Sequence, residues 1–362
     1  MNETVEAASQ GVPLGMDVEP GGKHETDVVI IGAGPSAIFA VFELGLLGLK
    51  AHLVDVLDKP GGQCAELYPE KPIYDIPGFP QVTGYELTDN LLAQAAPFDP
   101  VYHFNQLATV FDRLPDGRFK ITTDVDTQIT ASVVLIAAGG GSFTPKKPPL
   151  PDLEPYEAAN SIYYAVRKME TFRDKRLIVA GGGDSALDWT IHLAPIAKSL
   201  TLVHRRDGFR AAPDSVAKME ELIDSGDIEF HVAQMKHLNG DDGKITSVTV
   251  DSKENGTYDI ECDMLLPFFG FTMKLGPVAN FGIEFNEDDK IEVDTEFFQT
   301  REKGIFCIGD IANYPGKLKL ILSSFHEGAL FARGAFKHIN PDVELKLGYT
   351  TSNKALQKKI GV

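Results

Sequence analysis

Short apolar runs alternate with glycine-rich turns and longer amphipathic segments in the N-terminal part of the chain. The stretch DVVIIGAGPSA begins at Asp27, and its run VVII predicts a buried strand. The following segment, AIFAVFELGLLGL, has the apolar pattern of a helix that packs on a sheet. A further run, AHLV, ends at Asp55 and predicts the next strand. The pattern therefore predicts a strand, a tight glycine turn, a helix and a second strand.

The same order of elements recurs in the middle of the chain. The run RLIVA leads into GGGDSA and a helix-like segment, and LTLV then predicts a strand that ends at His204. Gly32 and Asp55 are 23 positions apart, and so are Gly181 and His204. A single motif of this kind is also explained by an ordinary glycine-rich turn. Two copies with matching offsets favour two dinucleotide-binding units.

Length, charge and cysteine content narrow the class of protein. The 362 residues are too many for one ordinary core and predict two domains. A net charge of −18 argues against non-specific binding to nucleic acid, and the sequence has no apolar run of membrane-spanning length. The polar N-terminal residues do not resemble a signal peptide, and the three widely spaced cysteines form no CxxC pair. We therefore expect a cytoplasmic protein that binds neither nucleic acid nor membrane.

The two predicted units offer charges of opposite sign at the end of their second strand. Asp55 ends that strand in the first unit, and a carboxylate there accepts hydrogen bonds from ribose hydroxyls. The equivalent place in the second unit is occupied by HRRDGFRA, whose arginines favour a 2′-phosphate. We therefore expect FAD in the first unit and NADP(H) in the second. The alternative is that these arginines form an ordinary solvated basic surface.

The candidate cofactor-binding residues follow from the two motifs. In each unit a glycine permits the tight turn, and a second one lets a diphosphate approach the backbone. The N-terminus of the following helix presents free N–H groups to the phosphates. For FAD these residues are Gly32, Gly34, Ser36 and Asp55; for NADP(H) they are Gly181, Gly183, Asp184, Ser185, His204, Arg205, Arg206 and Arg210.

The rest of the chain predicts that one domain is inserted into the other. The Gly/Pro-rich segment GGQCAELYPEKPIYDIPGFP is expected to be a loop, GYELTDNLLAQAAPF a helix, and VVLIAAGGGSF a strand that ends at Phe143. The proline-rich TPKKPPLP then marks a domain boundary. Beyond it, DMLLPFFGF predicts the closing strand of the second domain, and TREKGIFCIGD predicts a strand that ends at Asp310. The fold class is α/β, with two Rossmann-like domains. The predicted domains are a flexible N-terminal tail (1–24), a discontinuous FAD-binding domain (25–144 and 272–352), an inserted NADP-binding domain (145–271) and a C-terminal tail (353–362).

Several of these segments together resemble a known enzyme family. GAGPSA, GGQ, AAGG, GGGDSA, HRR and T-x-x-x-G-I-F-x-x-G-D are similar to the two-domain flavoprotein reductases of thioredoxin-reductase architecture. Thioredoxin reductases carry a CxxC upstream of their second glycine motif, whereas this chain has SIYYAVRKMETF there. The segments GGQCAELYPEKPIYDIPGFP, GGGDSALDW and IGDIANYPGKLKLI resemble the thioredoxin-reductase-type ferredoxin–NADP reductases instead.

The resemblance implies roles for individual residues. It implies that Asp55 binds the FAD ribose, that Gln63 contacts the flavin and that Tyr68 stacks on one face of the flavin ring. The tail GYTTSNKALQKK matches a segment that covers the other face, usually from the partner subunit. Further implied FAD contacts are Ala108, Phe143, Asp310 at the ribityl chain, Tyr349 as a stacking residue and Thr351. The residues alone leave two alternatives open, since Asp310 suits a helix N-cap and Tyr349 suits ordinary packing.

The implied activity is electron transfer between NADPH and a ferredoxin or flavodoxin in a homodimeric, FAD-dependent enzyme. A hydride passes to the flavin, and the two electrons leave singly; the flavin performs the chemistry. The alternatives are reduction of a quinone, a small disulfide or a ferric complex, or a non-catalytic nucleotide sensor. Trp189 is expected in the core, and His326 is expected to have no chemical role. Candidate lysines for docking an acidic carrier are Lys146, Lys147, Lys317, Lys319, Lys354, Lys358 and Lys359.

Overall fold

A computed structural model describes residues 18–345 and 349–359 and divides the chain into two compact units. The first unit contains the chain up to Glu66, Lys71–Ser142 and the chain from Met273 onward. The second unit contains Leu67–Glu70 and Phe143–Thr272. One unit is thus inserted into the other, and with the topology given below this confirms the predicted α/β fold class.

The strands and helices of the described residues are numbered in chain order. The strands are β1 Lys23–Ile31, β2 Ala51–Val54, β3 Pro72–Ile73, β4 Val82–Thr83, β5 Val101–His103, β6 Ala108–Arg113, β7 Phe119–Thr123, β8 Gln128–Ile136, β9 Ser142–Pro145, β10 Arg176–Ala180, β11 Ser199–His204, β12 Glu229–Val232, β13 Gln234–Asp241, β14 Lys244–Ser252, β15 Gly256–Glu261, β16 Met264–Pro267, β17 Phe271–Lys274, β18 Ile291–Glu292, β19 Ile305–Cys307 and β20 Ala312–Asn313. The helices are α1 Pro35–Leu46, α2 Gly62–Leu67, α3 Gly84–Ala95, α4 Leu153–Ala158, α5 Asp184–Leu193, α6 Pro213–Ser225, α7 Ile321–Ile339 and α8 Lys354–Lys359.

The first unit is built on a mostly parallel sheet. Its strands lie in the order β5-β2-β1-β8, and β19 pairs with the C-terminal half of β8 in parallel. The antiparallel strands β7 and β6 extend the sheet beyond the other half of β8. In the core strand β1, Val28 and Ile30 are buried against α1, α3 and α7 on one face of the sheet. Val29 and Ile31 point to the other face and are buried in a second apolar cluster. A capping box at Thr83 and Glu86 fixes the start of α3.

The second unit repeats this plan on a smaller scale. Its parallel sheet has the order β12-β11-β10-β16, and α5 and α6 pack against each other beside it. A separate antiparallel sheet, β13-β14-β15, completes the unit. Trp189 on α5 is 3% exposed and lies in the apolar cluster of this unit, which confirms that it belongs to the core.

Several predicted boundaries are wrong because glycines end the elements early. The strand expected to end at Phe143 stops at Ile136, and a turn with positive φ at Gly139 and Gly141 separates it from β9. A Cβ at Gly141 would lie 2.1 Å from the carbonyl oxygen of Lys274, so only glycine fits this turn. The strand expected over 300–310 is confined to β19, and the closing strand after Asp263 is divided into β16 and β17.

Segments predicted without regular structure contain short elements. The predicted loop over 61–80 holds α2 and β3, which pairs in antiparallel fashion with β4 just beyond the loop. Lys23 and His24 at the end of the predicted N-terminal tail already belong to β1, and α8 occupies part of the predicted C-terminal tail. Residues 1–17 of the N-terminal tail lie outside the described residues. Among the described helices, none combines the length and apolar character needed to cross a bilayer.

Candidate dinucleotide sites

The first glycine turn is held at the carboxyl edge of the parallel sheet. The N–H of Gly32 donates to the carbonyl oxygen of Val54 at 2.8 Å, which ties the turn to the end of β2. Gly32 has a φ of +106°, and a Cβ there would lie 2.5 Å from the carbonyl oxygen of Ala137. The turn therefore requires glycine at this position, on conformational and steric grounds together.

The second glycine turn reproduces these contacts in the other unit. The N–H of Gly181 donates to the carbonyl oxygen of Val203 at 3.1 Å. A Cβ at Gly181 would lie 2.6 Å from the carbonyl oxygen of Phe268, the residue that follows β16 as Ala137 follows β8. In both units the first glycine thus donates to the end of the second strand and lies against the backbone of a third strand's end. This confirms the repeat found in the sequence.

Glycines from distant parts of the first unit converge on the N-terminus of α1. A Cβ at Gly62 would lie 3.1 Å from Gly34 Cα, and one at Gly309 would lie 3.2 Å from Ser36 Oγ. A Cβ built on Gly34 itself meets no described atom within 4 Å, so its approach side is open. This bare backbone surface at a helix N-terminus fits the diphosphate of a dinucleotide. We call the surface formed by Gly32, Gly34, Gly62 and Gly309 the glycine cradle.

Asp55 binds the glycine turn itself. Its Oδ2 accepts the N–H of Ala33 at 2.7 Å, and its Oδ1 accepts the N–H of Leu57 at 2.9 Å. Burial raises the pKa of the Asp55 carboxyl, and these backbone N–H groups oppose that rise. The sequence did not reveal this contribution to turn geometry. Each carboxylate oxygen keeps a further lone pair, so the predicted contact with ribose hydroxyls is compatible with these bonds.

The second unit contains a pocket of about 710 Å³ beside its glycine turn. The lining includes Gly181 to Ser185, His204, Arg205, Arg206 and Arg210, together with Gln234 and Met235 after β12. The structure thus brings together all the residues predicted to bind NADP(H). Gln234 and Met235 were missed because an ordinary polar residue and a methionine carry no sequence signal for a ligand.

Backbone bonds hold the arginine segment close to the glycine turn. The N–H of Arg210 donates to the carbonyl oxygen of Gly182 at 2.7 Å, and the N–H of Ala212 donates to Asp184 Oδ1 at 2.8 Å. The side chains of Arg205, Arg206 and Arg210 remain exposed at the pocket. Cationic groups are therefore presented where the predicted 2′-phosphate would lie.

The His204 ring packs over the backbone of the second glycine turn. A Cβ at Gly182 would lie 2.4 Å from His204 Nε2, and the ring stacks on Phe209 with 5.7 Å between centroids. Burial, followed by the charges of Arg205 and Arg206, lowers the pKa of His204. The neutral ring acts as a wall of the pocket, while the arginines provide its positive charge.

The other residues predicted to contact FAD have more varied surroundings. Gln63 lies close to the turn that follows β8, since a Cβ at Gly139 would lie 3.8 Å from Gln63 Nε2. Ala137 in the same segment contacts Gly32 of the first glycine turn. Ala108 is buried in the core at the start of β6. Tyr68 belongs to the second unit and packs on that unit's apolar cluster. Its stacking on the flavin stays a prediction. Phe143 lies in β9, but its side chain is outside the described residues.

The predicted tail residues and Asp310 can also be placed. Asp310 lies half-buried in a short 3-10 turn, Gly309–Ile311, whereas the residue that caps α7 is Leu320, so the N-cap alternative for Asp310 is wrong. Tyr349 is 71% exposed in the isolated chain, which disagrees with ordinary intrachain packing. Thr351 is exposed, and its carbonyl oxygen accepts a hydrogen bond from Gln357 Nε2 at 2.9 Å.

One candidate docking lysine is buried rather than available to a partner. The Lys317 side chain is 5% exposed and forms an ion pair with Glu327, so its assignment to a docking surface is wrong. Lys147 is exposed but pairs with Glu157 at 2.7 Å. His326 is exposed on α7. The carboxylate of Glu327 was missed because a single glutamate within an amphipathic helix is expected to face solvent.

Comparison with known proteins agrees with the geometry. Residues 26–328 match the family of pyridine nucleotide-disulphide oxidoreductases. The chain is 61% identical to a ferredoxin–NADP reductase of Parvibaculum lavamentivorans, over 93% of this chain and 98% of that protein. It is 57% identical to a ferredoxin–NADP reductase of Nitrobacter winogradskyi, with the same coverage. The structure resembles thioredoxin reductase of Lactococcus lactis with a TM-score of 0.71 and 26% identity, over 87% of this chain and 99% of that one.

Proposed function

The chain belongs to the pyridine nucleotide-disulphide oxidoreductase family, and on that basis we propose that it is an FAD-dependent ferredoxin–NADP reductase. The observation that carries the proposal is the pair of equivalent glycine turns with opposite charges at the end of the second strand. Asp55 stands in one unit and His204 to Arg206 in the other. Opposite charges at equivalent positions suit two different dinucleotides.

Each unit would bind one of the two dinucleotides. In the first, the glycine cradle and the N-terminus of α1 would hold the diphosphate of FAD, and Asp310 would hold the ribityl chain. In the second, the arginines and His204 would orient NADPH. FAD, when bound, supplies the chemistry that couples hydride exchange to single-electron exchange. The protein's part is binding and orientation of the two dinucleotides.

Two features support a one-electron carrier over a disulfide as the acceptor. The segment 161–172 holds no CxxC, and Cys64, Cys262 and Cys307 are all buried. Burial raises the pKa of Cys262 to about 12, so this thiol stays protonated and unreactive at neutral pH. A thiol relay through that segment has no chemical basis. The similar proteins are named ferredoxin–NADP reductases, and we assign ferredoxin or flavodoxin as the acceptor here.

We assign a homodimer to the working enzyme. Tyr349 is largely exposed in the single chain, and the resemblance places this tail over the flavin of a partner subunit. Covering an exposed aromatic side chain and excluding water from the flavin would both favour association. Sedimentation of the flavin-loaded protein tests this assignment, because a monomeric mass at micromolar concentration contradicts it.

The proposed activity is tested by anaerobic mixing. The purified protein is reduced with one equivalent of NADPH, and the flavin absorbance is followed while ferredoxin, flavodoxin, a quinone, a small disulfide or a ferric complex is added. We expect bleaching by NADPH and rapid reoxidation by ferredoxin or flavodoxin. Faster reoxidation by one of the other acceptors would reassign the substrate. A colourless protein that takes up no FAD would contradict the enzymatic function altogether.

A further inference from the structure

A buried ion pair lies behind the predicted ribityl end of the FAD site. Glu327 on α7 is fully buried, and Lys317, from the loop before that helix, is ion-paired with it. The Tyr314 hydroxyl donates to Glu327 Oε1 at 2.8 Å. Burial, followed by the Glu327 carboxylate, raises the pKa of Tyr314, so its hydroxyl stays a donor.

The second oxygen of this carboxylate holds the turn that carries Asp310. Glu327 Oε2 accepts the N–H of Gly309 at 2.7 Å. Gly309 has a φ of +77°, and a Cβ there would lie 3.2 Å from Ser36 Oγ at the N-terminus of α1. Glu327 therefore links α7 to a backbone turn packed directly against the glycine cradle.

The geometry points to Glu327 as a positioning residue for FAD, with one carboxylate oxygen bonded to Lys317 and Tyr314 and the other to the N–H of Gly309. This inference rests on the proposed function, since it assigns the Gly309–Asp310 turn to the ribityl chain. The carboxylate fixes the N–H of Gly309, and the turn then sets the place of the Asp310 side chain. A charged acceptor binds an N–H more strongly than a neutral one, which suits a turn that must keep one conformation.

A purely structural role is the alternative explanation of this network. A buried ion pair often adds little stability compared with apolar residues, but loss of one partner leaves an uncompensated buried charge. Single substitutions would therefore destabilise the fold for a reason unrelated to FAD. A double substitution that removes both charges together separates positioning from charge burial.

The test compares E327Q/K317M with wild type as flavin-loaded holoenzymes. The rate of FAD release on dilution is measured by the fluorescence of free flavin, and NADPH affinity is measured in parallel. We expect at least tenfold faster FAD release from the double variant, with unchanged NADPH affinity. Y314F, which removes one donor to Glu327 and keeps the charges, is expected to release FAD about two- to fivefold faster.

D263N provides the matched control. Asp263 pairs with Arg176 at 2.7 Å at the start of β10, in the second unit and at the opposite end of the strand from Gly181. This variant also loses a carboxylate that accepts a backbone N–H, here that of Arg176. It is expected to lower the melting temperature without changing FAD release.

The outcomes separate the two levels of inference. A wild-type protein that takes up no FAD overturns the proposed function together with the positioning role. If wild type binds FAD and reduces ferredoxin, but the folded double variant releases FAD at the wild-type rate, only the positioning role fails. Should the double variant not fold, Y314F decides: accelerated release supports the role, and unchanged release overturns it. Equal acceleration in D263N would also overturn it.

Discussion

Arg205 and Arg206 illustrate how position gives a side chain its meaning. In the sequence they are two cations in a chain with a net charge of −18. In the structure they line the same pocket as the second glycine turn, where their exposed guanidinium groups face the ligand space. Guanidinium groups bind phosphate by paired hydrogen bonds as well as by charge, which suits discrimination between NADPH and NADH.

Replacement of both arginines by alanine should therefore raise KM for NADPH far more than KM for NADH. Each lost phosphate contact is worth about 1.5–3 kcal/mol, so the double variant R205A/R206A is expected to lose about 100-fold or more in preference. Steady-state kinetics with an artificial acceptor measure this change. R173A, in an exposed pair with Glu170 within the same unit, serves as the control. Equal effects on the two coenzymes would contradict the 2′-phosphate assignment.

The strand–turn–helix element assigns different roles to its two glycines. Gly32 has positive φ and lacks room for a Cβ, so it determines the fold of the turn. Gly34 has a φ of −75°, which any residue can adopt, and a Cβ built on it meets no described atom within 4 Å. Its absent side chain serves the ligand rather than the fold.

The two glycines should therefore respond differently to alanine. G32A is expected to destabilise the protein by at least about 1–3 kcal/mol, because alanine is strained at this φ and its methyl group would also meet the backbone of Ala137. G34A should leave the unfolding free energy of the apoprotein unchanged within about 0.5 kcal/mol but lower FAD affinity, since its methyl group occupies the diphosphate approach. Denaturant titration and flavin binding of the two variants measure these effects. Full FAD affinity in G34A would contradict the cradle.

The first unit's sheet also contains a pair of histidines on neighbouring strands, of which His103 is buried and His52 is half-buried. A hydrogen bond of 3.0 Å joins His52 Nδ1 on β2 to His103 Nε2 on β5, and the ring of His24 on β1 lies 5.0 Å from that of His103. Burial, followed by the neighbouring histidines, lowers the pKa of His52 and of His103 to about 4. Both rings are therefore neutral in the folded protein at neutral pH.

This pair predicts a loss of stability in mild acid. An unfolded histidine takes up its proton near pH 6.5, whereas these two resist protonation until about pH 4. The unfolded state thus binds more protons between these values, and stability falls as the pH falls through that window. Each histidine contributes at most about 1.4 kcal/mol per pH unit. Denaturant titrations from pH 7 to 4.5 should show a shallower loss in H52Q/H103Q than in wild type.

H326Q provides the control for the acid experiment, since His326 is exposed on α7. This variant should follow the wild-type dependence of stability on pH. An identical pH dependence in wild type and H52Q/H103Q would show that this histidine pair does not control acid stability.

At the scale of the whole molecule, the acidic surface limits how an acidic electron carrier can dock. Long-range repulsion from a net charge of −18 must be overcome by a local group of cations. The burial of Lys317 removes one candidate, while Lys319 beside it stays exposed. Interactions between exposed charges are screened beyond about 10 Å at 0.1 M salt.

At saturating NADPH, turnover with ferredoxin should therefore fall as salt rises from 50 to 500 mM, whereas reduction of a small neutral acceptor should change little. The measured quantity is KM for ferredoxin, which should increase severalfold. A KM that is independent of salt, or that decreases with salt, would contradict docking through a basic patch.

The sequence by itself determined the two strand–turn–helix units, their offsets and the signs of charge at their second strands, because these depend on local spacing. It also excluded a CxxC relay and identified the family by its motifs. Boundaries such as Ile136 were missed because the clash at Gly141 involves Lys274, which is far away in the chain. Only the tertiary structure decided that Asp55 ties down the glycine turn and that Glu327 holds Gly309. Such hydrogen bonds join residues that are far apart in the chain, so local spacing does not reveal them. Whether a carboxylate is buried or exposed is likewise decided by the packing of distant elements.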